Sequence, residues 1–484
     1  MSVTGIPLTG PPLVSTSAHA RAVADLVRQY RRYPAGTRVR LGKKTSNLFR
    51  FGAPPAERLD TSALTGVIDV DVHARTAQVQ GMTTYEHLVE VTLAYGLMPL
   101  VVPQLRTITL GGAVTGLGIE STSFHHGLPH ESVLEMDVLT ADGEVLTVTP
   151  DGEHTDLFHG FPNSYGTLGY ALRLVIELQP VGPHVRLEHR RVSTADLAAT
   201  ITRVCDPDFA GSDFAGSDFA GSDFAGSDFA GHPDFVDGVV FGRDEQYLTL
   251  ATFTDDPGPG LSDYTGRKVF YRSVRERAVD HLSVHDYLWR WDTDWFWCSR
   301  ALGAQHPLVR PFWPRRHRRS DVYRRLVALD RRTGFSSRVR RVVGAPQEEL
   351  VIQDVEIPVG RLVEFLDAFH TDIGIAPVWL CPLRLRGERT WPLYPMRTDE
   401  LYVNVGFWSG VPELPGDPDA HNRRIERLVA DLGGHKSLYS TVHYDEREFW
   451  EHYNGPAYRA LKSRYDPHGR LGDLYTKVSG QTGR

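Results

Sequence analysis

A glycine-rich stretch at residues 103–127 constrains the fold of this 484-residue chain more than any other segment. It reads PQLRTITLGGAVTGLGIESTSFHHG and carries four glycines within eight positions, Gly111, Gly112, Gly116 and Gly118. Glycine lacks a Cβ, so its backbone can adopt positive φ and bring main-chain amides close to an anion. Apolar residues alternate with these glycines and predict a buried loop, whose amides need partners. A phosphate-bearing cofactor would provide them, and an ordinary surface loop is the alternative.

Two common phosphate-binding loops do not fit this chain. A Rossmann turn requires G-x-G-x-x-G between a strand and a helix, but Gly116 and Gly118 are followed by Ser121 and by no helical pattern. A P-loop requires G-x-x-x-x-G-K-[ST], and GTRVRLGKKT at 36–45 has one residue too many between its glycines and an extra lysine. The sequence therefore predicts a phosphate cradle of another kind.

Composition narrows the possible functions. The formal net charge of −7 argues against a nucleic-acid partner, because nucleic-acid-binding domains carry basic faces. The cysteines Cys205, Cys298 and Cys381 are far apart, so we expect neither a disulfide framework nor a metal site. No N-terminal signal and no run of about 18 apolar residues is visible. We therefore expect a cytoplasmic protein without a resident metal.

Patterns along the first part of the chain predict an N-terminal helix and then an α+β domain over residues 35–180. Residues 67–72 and 77–80 alternate with period two and predict a hairpin. Asp142-Gly143 lies between two further alternating runs and predicts a second hairpin at 134–148. Helices are predicted at 18–30, 84–95 and 156–159, strands at 38–41 and 172–178, and a tight turn at 166–169.

The second half of the chain contains three unusual segments. Residues 208–231 repeat DFAGS four times and end in DFAG, a period that fits neither helix nor strand, so we interpret them as an expanded surface loop. The run YLWRWDTDWFW at 287–297 predicts a buried aromatic helix or part of an apolar tunnel for a hydrophobic substrate. The run RPFWPRRHRR at 310–319 suits peripheral contact with phospholipid, or a solvated face. Strands at 239–241 and 248–253 and a helix at 361–369 are also predicted.

The segment TLGGAVTGLGIES at Thr109 to Ser121 resembles the FAD-binding segment of the Δ24-sterol reductases, or seladin-type enzymes. These are flavoproteins of the vanillyl-alcohol-oxidase superfamily with a PCMH-type FAD domain. The chain is also similar to bacterial flavoproteins that reduce methylene-branched fatty acyl chains. Further matching segments follow in the family's order: Lys43-Lys44-Thr45, DLF…GTLG at 156–169, QDVEIPV at 353–359, PVWLCP at 377–382, ELYVNVG at 400–406 and REFWEHYNGPAY at 447–458.

The resemblance covers most of residues 35–480 and implies an α+β fold in four parts. An N-terminal extension and helix would occupy 1–34, followed by a two-subdomain PCMH-type FAD-binding domain at 35–181. An α+β cap, or substrate domain, would span 182–444 and contain the low-complexity loop at 208–231. Residues 445–484 would return to the FAD-binding domain.

The resemblance also implies a set of site residues and FAD bound without a covalent link. Tyr475 and Lys477 match a closing Tyr-x-Lys and are the first candidates for flavin polarisation or proton donation, the end of a surface strand being the alternative. Tyr444, Tyr453 and Asn454 are second candidates. The residues expected to bind the cofactor are Lys44, Thr45, Ser46, Pro103, Gln104, Thr109, Leu110, Gly111, Gly112, Ala113, Thr115, Gly116, Gly118, Ile119, Glu120, Ser121, Gly166, Thr167 and Gly169.

The activity implied by the resemblance is reduction of an isolated C=C bond in a lipid substrate, with NADPH as the expected hydride donor. An unactivated alkene accepts hydride poorly, so a protein acid must lie within hydrogen-bond reach of the other carbon. We favour reduction of a methylene-branched fatty acyl chain to a methyl-branched one over a Δ24-sterol substrate. The alternatives are an FAD-dependent alcohol or sugar oxidase that uses O2, and a lipid-binding protein without flavin.

Overall fold

The protein is an α+β molecule in a computed structural model that describes residues 10–43, 49–50, 56–209, 231–334, 338, 344 and 346–480. The α+β class agrees with the sequence prediction. The helices are α1 (Thr16–Arg32), α2 (Tyr85–Leu93), α3 (Leu110–Gly116), α4 (Ser123–His126), α5 (Thr155–Gly160), α6 (Leu197–Val204), α7 (Phe270–Glu276), α8 (Val284–Leu288), α9 (Ser320–Thr333), α10 (Leu362–Asp372), α11 (Ala420–Asp431), α12 (Glu446–His452), α13 (Gly455–Tyr465) and α14 (Leu474–Ser479). The strands are β1 (Val39–Leu41), β2 (Glu57–Leu59), β3 (Val67–Asp71), β4 (Thr76–Gln80), β5 (Leu97–Pro99), β6 (Val133–Leu139), β7 (Val145–Val148), β8 (Tyr170–Pro180), β9 (His184–Val192), β10 (Phe235–Gly242), β11 (Glu245–Thr254), β12 (Val279–Ser283), β13 (Glu348–Pro358), β14 (Val378–Leu383), β15 (Tyr402–Pro412) and β16 (His435–Lys436).

The first large sheet is antiparallel and has the strand order β3-β4-β8-β6-β7, with β5 paired to β8. Both hairpins predicted from the alternating pattern are confirmed, since β3 pairs with β4 and β6 pairs with β7. Gly143 in the second hairpin turn has a φ of 80°, a conformation that strains any residue with a Cβ. Helices α2 and α3 bury Leu88 and Val114 in the same apolar core as this sheet.

The second large sheet is also antiparallel and has the order β12-β9-β11-β10-β14-β15-β13-β16. One of its faces packs against α6, α10 and α11, where Ile201 and Phe365 are fully buried. Its other face carries Trp379 and Tyr402, which share an apolar core with Val79 of the first sheet. The two sheets therefore enclose the interior in which the candidate site lies.

The C-terminal helices pack beside the first sheet. Leu461 of α13 lies against Gly160 at the end of α5, where a Cβ would come within 2.2 Å of a Leu461 methyl group. The amide of Val442 donates to the carbonyl oxygen of Val478 in α14 at 3.0 Å. The domain boundaries placed after residues 34, 181 and 444 stay predictions.

Two local predictions are wrong. Residues 110–116 form helix α3 rather than a loop. The aromatic run is buried, as expected, but it is not one helix: α8 ends at Leu288, and Trp295 and Phe296 have left-handed φ values of 47° and 57°. Asp292 accepts a hydrogen bond from the Arg106 amide, so contacts with a distant part of the chain help to position this segment.

The described residues contain neither a membrane-spanning helix nor a metal-binding group of side chains. Among them, no helix combines the length and apolar character needed to cross a membrane. The same residues contain no group of three or more His, Cys, Asp or Glu side chains that could hold a metal ion. The predicted repeat at 208–231 lies outside the described residues except at its two ends.

Candidate functional site

The first main-chain amides of helix α3 donate hydrogen bonds to other groups of the protein. The amide of Leu110 donates to the Thr83 carbonyl oxygen and that of Gly111 to the Gly81 carbonyl oxygen, both at 2.9 Å. Thr109 caps the helix, because its Oγ accepts from the Gly112 amide at 3.2 Å. These amides are therefore not available to an anion, contrary to the cradle expected from the sequence.

Close packing explains the glycines instead. A Cβ on Gly111 would lie 2.7 Å from the Gly81 carbonyl oxygen, so the helix rests directly on the backbone before α2. A Cβ on Gly116 would lie 3.0 Å from the ring of Tyr165. The glycines thus let α3 approach both the first sheet and the turn that carries Tyr165.

Three cations surround that turn. The Lys477 ammonium in α14 donates to the Tyr165 carbonyl oxygen at 2.6 Å. The Arg50 guanidinium lies 4.5 Å from the centre of the Tyr165 ring. Lys43 lies over α3, since its Nζ would be 3.4 Å from a Cβ on Gly112. Within the described part of the chain, no carboxylate pairs with any of the three.

The electrostatics of this cation cluster (Lys43, Arg50 and Lys477) favour an anionic ligand. Burial, followed by repulsion from Arg50 and Lys43, lowers the pKa of Lys477 to about 7. Burial followed by repulsion from Arg50 lowers the pKa of Lys43 to about 8, and burial lowers that of Arg50 to about 10. Like charges held together without an anion are costly, and a ligand with negative charge would relieve that cost.

Polar atoms without partners lie in the same place. The Oδ1 atom of Asn163, the Oγ atom of Ser164, and Nε and Nη2 of Arg50 are buried without a hydrogen-bond partner among the described residues. Asn163 and Tyr165 also have left-handed φ values of 61° and 50°. Backbone strain and unpaired buried groups concentrate where a protein binds a ligand. The turn at 163–166 is therefore a candidate ligand-binding element.

Two carboxylic acids on β13 complete the site from the second sheet. Asp354 and Glu356 lie on the same face of the strand, and both are within electrostatic reach of Tyr165. Burial raises the pKa of Asp354 to about 7 despite its interactions with Asn404 and Tyr439. Burial also raises the pKa of Glu356 to about 8, although Tyr394 and Ser437 donate hydrogen bonds to it. Burial therefore favours the protonated form of both side chains up to near neutral pH.

Aromatic rings line the space beside Asp354. Trp408 donates from its indole nitrogen to the Tyr439 hydroxyl at 2.7 Å. Phe296 packs against Trp408 with ring centres 4.3 Å apart, and against Trp379 at 5.4 Å. A Cβ on Gly406 would come within 2.7 Å of the Trp408 ring, so this glycine leaves room for it. These rings form an aromatic wall next to Tyr439, the hydrogen-bond neighbour of Asp354.

The predicted binding residues fall into several environments. Gln104 donates to the Ile119 carbonyl oxygen at 3.0 Å, and Gly118 lies between Pro103 and Pro129. Thr115 donates to the Gly111 carbonyl oxygen at 2.6 Å. Gly166, Thr167 and Gly169 follow Tyr165, where Lys462 donates to the Thr167 carbonyl oxygen. Lys44, Thr45 and Ser46 lie outside the described residues.

Glu120 and Ser121 belong to a buried ion network. Arg290 Nη2 lies 3.1 Å from Glu120 Oε1 and 2.8 Å from Asp237 Oδ2. Ser121 donates to Glu120 at 2.6 Å. This network joins the segment after α3 to β10 of the second sheet, so it fixes the position of one sheet relative to the other.

Most of the predicted catalytic side chains are engaged by the protein. The hydroxyls of Tyr475, Tyr444 and Tyr453 donate to main-chain carbonyl oxygens. Asn454 caps α13 by accepting from the Ala457 amide at 3.3 Å. Lys477 alone among these candidates lies in the cation cluster.

The first part of the chain matches a known domain family. Residues 11–149 match the family described as "FAD binding domain". The chain carries an FAD binding domain. It is also 24% identical over 450 residues to a Δ24-sterol reductase homologue of Caenorhabditis elegans, an alignment that covers 87% of this chain and 79% of the relative. The human Δ24-sterol reductase is 23% identical over 429 residues, covering 86% of this chain and 76% of the relative. The chain is also 36% identical over 108 residues to cytokinin dehydrogenase 5 of Arabidopsis thaliana, an alignment that covers 22% of this chain and 20% of the relative.

The residues around Tyr165 fit FAD. Lys43, Arg50 and Lys477 supply three positive charges for a pyrophosphate, which carries negative charge and many acceptor oxygens. The unpaired atoms of Asn163 and Ser164 offer an acceptor and a hydroxyl for the polar edges of a cofactor. The chain is therefore similar to FAD binding domains in residues 11–149 and to Δ24-sterol reductases over most of its length.

The sequence reasoning missed several residues of this site. Arg50 lies in no recognised motif, and its role follows from its position over Tyr165. Asp354 and Glu356 were noted only within the matching segment QDVEIPV. A usable signal was present there, because two acids at alternate positions of a long strand share one face of the sheet.

Proposed function

We propose that this protein reduces an isolated C=C bond in a lipid, with FAD as cofactor and a reduced nicotinamide, NADPH by preference, as the hydride source. The protonated acid pair of Asp354 and Glu356, beside an aromatic wall and next to the cation cluster, carries the proposal. The similarity to Δ24-sterol reductases over most of the chain supports it.

FAD, when bound, supplies hydride transfer between the nicotinamide and carbon. The chain's own part begins with binding: Lys43, Arg50 and Lys477 would hold the pyrophosphate. The backbone of the strained turn at 163–166, fixed by Lys477 and packed against Gly116, would keep the bound group in one orientation. Preorganised donors of this kind do not need to rearrange during the reaction.

Reduction of an alkene also needs one proton for the second carbon. Asp354 is suited to supply it because its pKa is about 7 and its side chain is only half-buried. Glu356 is fully buried, accepts a hydrogen bond from the Tyr394 hydroxyl, and has its pKa raised further by the neighbouring Asp354 carboxylate, so it is the weaker acid of the pair. A general acid whose pKa lies near the working pH transfers its proton most effectively.

The lining of the site favours an apolar substrate. Trp408, Phe296 and Trp379 present rings rather than hydrogen-bonding groups, whereas a sugar would require polar partners at several positions. A methylene-branched fatty acyl chain is our first candidate, and a sterol side chain, the substrate in the names of the relatives, is the second.

The experiment is an anaerobic incubation of the FAD-loaded protein with NADPH and one lipid at a time. We expect rapid bleaching of the flavin absorbance by NADPH, and a lipid product heavier by two hydrogens in the mass spectrum. A phospholipid with a methylene-branched acyl chain and a Δ24-sterol are the two probes. Bleaching by an alcohol or sugar, with peroxide formed on admission of O2, would instead establish an oxidase and overturn the proposal.

A further inference from the structure

One surface outside the candidate site exposes several large apolar side chains to solvent, which is uncommon on the surface of a soluble protein. The exposed fraction is 86% for Phe312, 75% for Leu308 and 57% for Leu329. Phe312 and Leu308 border an open groove of about 630 Å³ that Trp313 and Leu326 also line. We call this the groove surface and define it by residues 308–317 and the exposed side of α9. Exposed apolar patches of this kind mark interaction sites.

Helix α9 contributes one side of the groove surface. Val322, Leu326 and Leu329 recur at intervals of four and three residues and therefore lie on one side of the helix. Val322 and Leu326 line the groove, so Leu329 extends the apolar strip by one further turn. The strip is bordered by Arg325, whose side chain is 73% exposed.

Positive charge accompanies this apolar strip. Residues 306–333 contain nine arginines and two aspartates, although the whole chain has a net charge of −7. Arg310 and Arg318 are structural, because Arg310 binds Asp294 and Arg318 binds main-chain carbonyl oxygens. Those bonds hold the exposed loop residues Arg267 and Lys268 beside the groove surface. Arg315 pairs with Asp263, Arg319 with Glu86, and Arg325 with Asp321. Arg267, Lys268 and Arg316 form no ion pair within the described part of the chain.

We propose that the groove surface docks on an anionic phospholipid bilayer. Phe312, Leu308 and Leu329 would enter the interface between headgroups and acyl chains, while Arg316, Arg267 and Lys268 would contact lipid phosphates. Apolar side chains flanked by arginine and lysine bind membranes in this way, by burial of apolar area together with attraction to negative lipids. A second copy of this chain is a poorer occupant, because like charges would face each other.

A row of aromatic contacts connects the groove surface to the candidate site. Trp313 packs near Tyr323, with ring centres 5.8 Å apart, and both belong to the cluster that contains Trp295. Trp295 stacks on Phe49 at 5.8 Å, and Phe49 lies 6.0 Å from Tyr439, the neighbour of Asp354. A lipid substrate would enter the site along this row of rings. That step rests on the proposed function, whereas docking on the membrane does not.

The test is sedimentation of the FAD-loaded protein with vesicles, which requires no activity. We expect the protein to bind vesicles of phosphatidylcholine mixed with phosphatidylglycerol, to bind phosphatidylcholine alone at least fivefold more weakly, and to dissociate in high salt. Phe312→Ser combined with Leu308→Ser should weaken binding at least fivefold, and Arg316→Gln combined with Lys268→Gln should do the same. Val72→Ser and Arg447→Gln are matched controls on other surfaces, with 46% of Val72 and 75% of the Arg447 side chain exposed.

Three outcomes would overturn the proposal. The first is binding to vesicles that the groove variants leave unchanged, and the second is no binding at all. The third is a wild-type dimer, seen by equilibrium sedimentation and lost in the Phe312 variant, since a second copy would then cover the groove surface. All of the substituted side chains are exposed, so an unchanged melting temperature verifies that the variants remain folded. Failure of vesicle binding would leave lipid reduction in detergent unaffected, and the two proposals are thus separable.

Discussion

Lys477 in the last helix donates a 2.6 Å hydrogen bond to the main-chain carbonyl oxygen of Tyr165, some three hundred residues earlier in the chain. The same tyrosine has Arg50 over its ring and Gly116 against its edge. The C-terminal helix α14 therefore completes a site that the first sheet begins. Loss of this contact would disturb both the cation cluster and the strained turn at 163–166.

Replacing Lys477 by methionine should weaken FAD binding about tenfold to a hundredfold. The substitution keeps the length of the side chain but removes one positive charge from the predicted pyrophosphate site, and charged hydrogen bonds contribute about 1.5–3 kcal/mol each. Titration of the apoprotein with FAD, followed by flavin fluorescence, measures the change. Arg447→Met, an exposed change on the neighbouring helix α12, serves as the control. Equal affinities of wild type and the Lys477 variant would show that the cluster does not bind the cofactor.

The affinity for FAD should fall as the pH rises from about 6 to about 9. The pKa of Lys477 is about 7 and that of Lys43 about 8, so both lysines are charged at the lower pH and increasingly neutral at the higher one. Binding of an anion favours the charged forms, and complex formation should therefore take up protons between pH 7 and 8. Calorimetry in buffers of different ionisation enthalpy measures that uptake. Lys477→Met should flatten the profile near pH 7, and a wild-type affinity independent of pH would contradict the assignment.

Local chemistry explains the elements that the sequence predicts well. The Asp-Gly pair at 142–143 specifies a turn with positive φ, and the alternating runs on either side specify two strands. Helix α2 is predicted by apolar residues at helical spacing, and in the structure the Thr84 side chain caps it by accepting from the His87 amide. In both places the neighbouring residues alone determine the backbone.

The glycine stretch shows where such reasoning fails. Glycine usually opposes a helix, yet Gly111 and Gly116 lie in one because the backbone at Gly81 and the ring of Tyr165 occupy the space of their missing Cβ atoms. That packing is a tertiary effect. The cation cluster is also a tertiary arrangement: Lys477 is far from Lys43 and Arg50 in the sequence, and no local sequence pattern indicates that the three meet around Tyr165.

Asp354→Asn should lower the maximal rate of lipid reduction by at least tenfold and leave FAD affinity unchanged. Burial raises the pKa of Asp354 to about 7, so the wild-type carboxyl loses its proton as the pH rises through that value. The wild-type rate under saturating lipid should therefore decline above about pH 7, and the variant should lack this decline. Stopped-flow measurement of the oxidative half-reaction with lipid separates this step from reduction by NADPH. An unchanged pH profile in the variant would assign the proton to another group.

Arg290→Met should destabilise the protein strongly, because it leaves two carboxylates without their partner. Arg290 is fully buried and bridges Glu120 and Asp237, and breaking a buried ion pair from one side costs about 3–5 kcal/mol. Glu120→Gln and Asp237→Asn added to the same variant should recover much of the loss, since neutral amides need no counter-charge. The midpoint of urea unfolding, followed by tryptophan fluorescence, measures each change, and Arg447→Met is the exposed control. If the triple variant were no more stable than the single one, the contact of the Arg290 guanidinium with the Tyr287 ring would be the larger contribution.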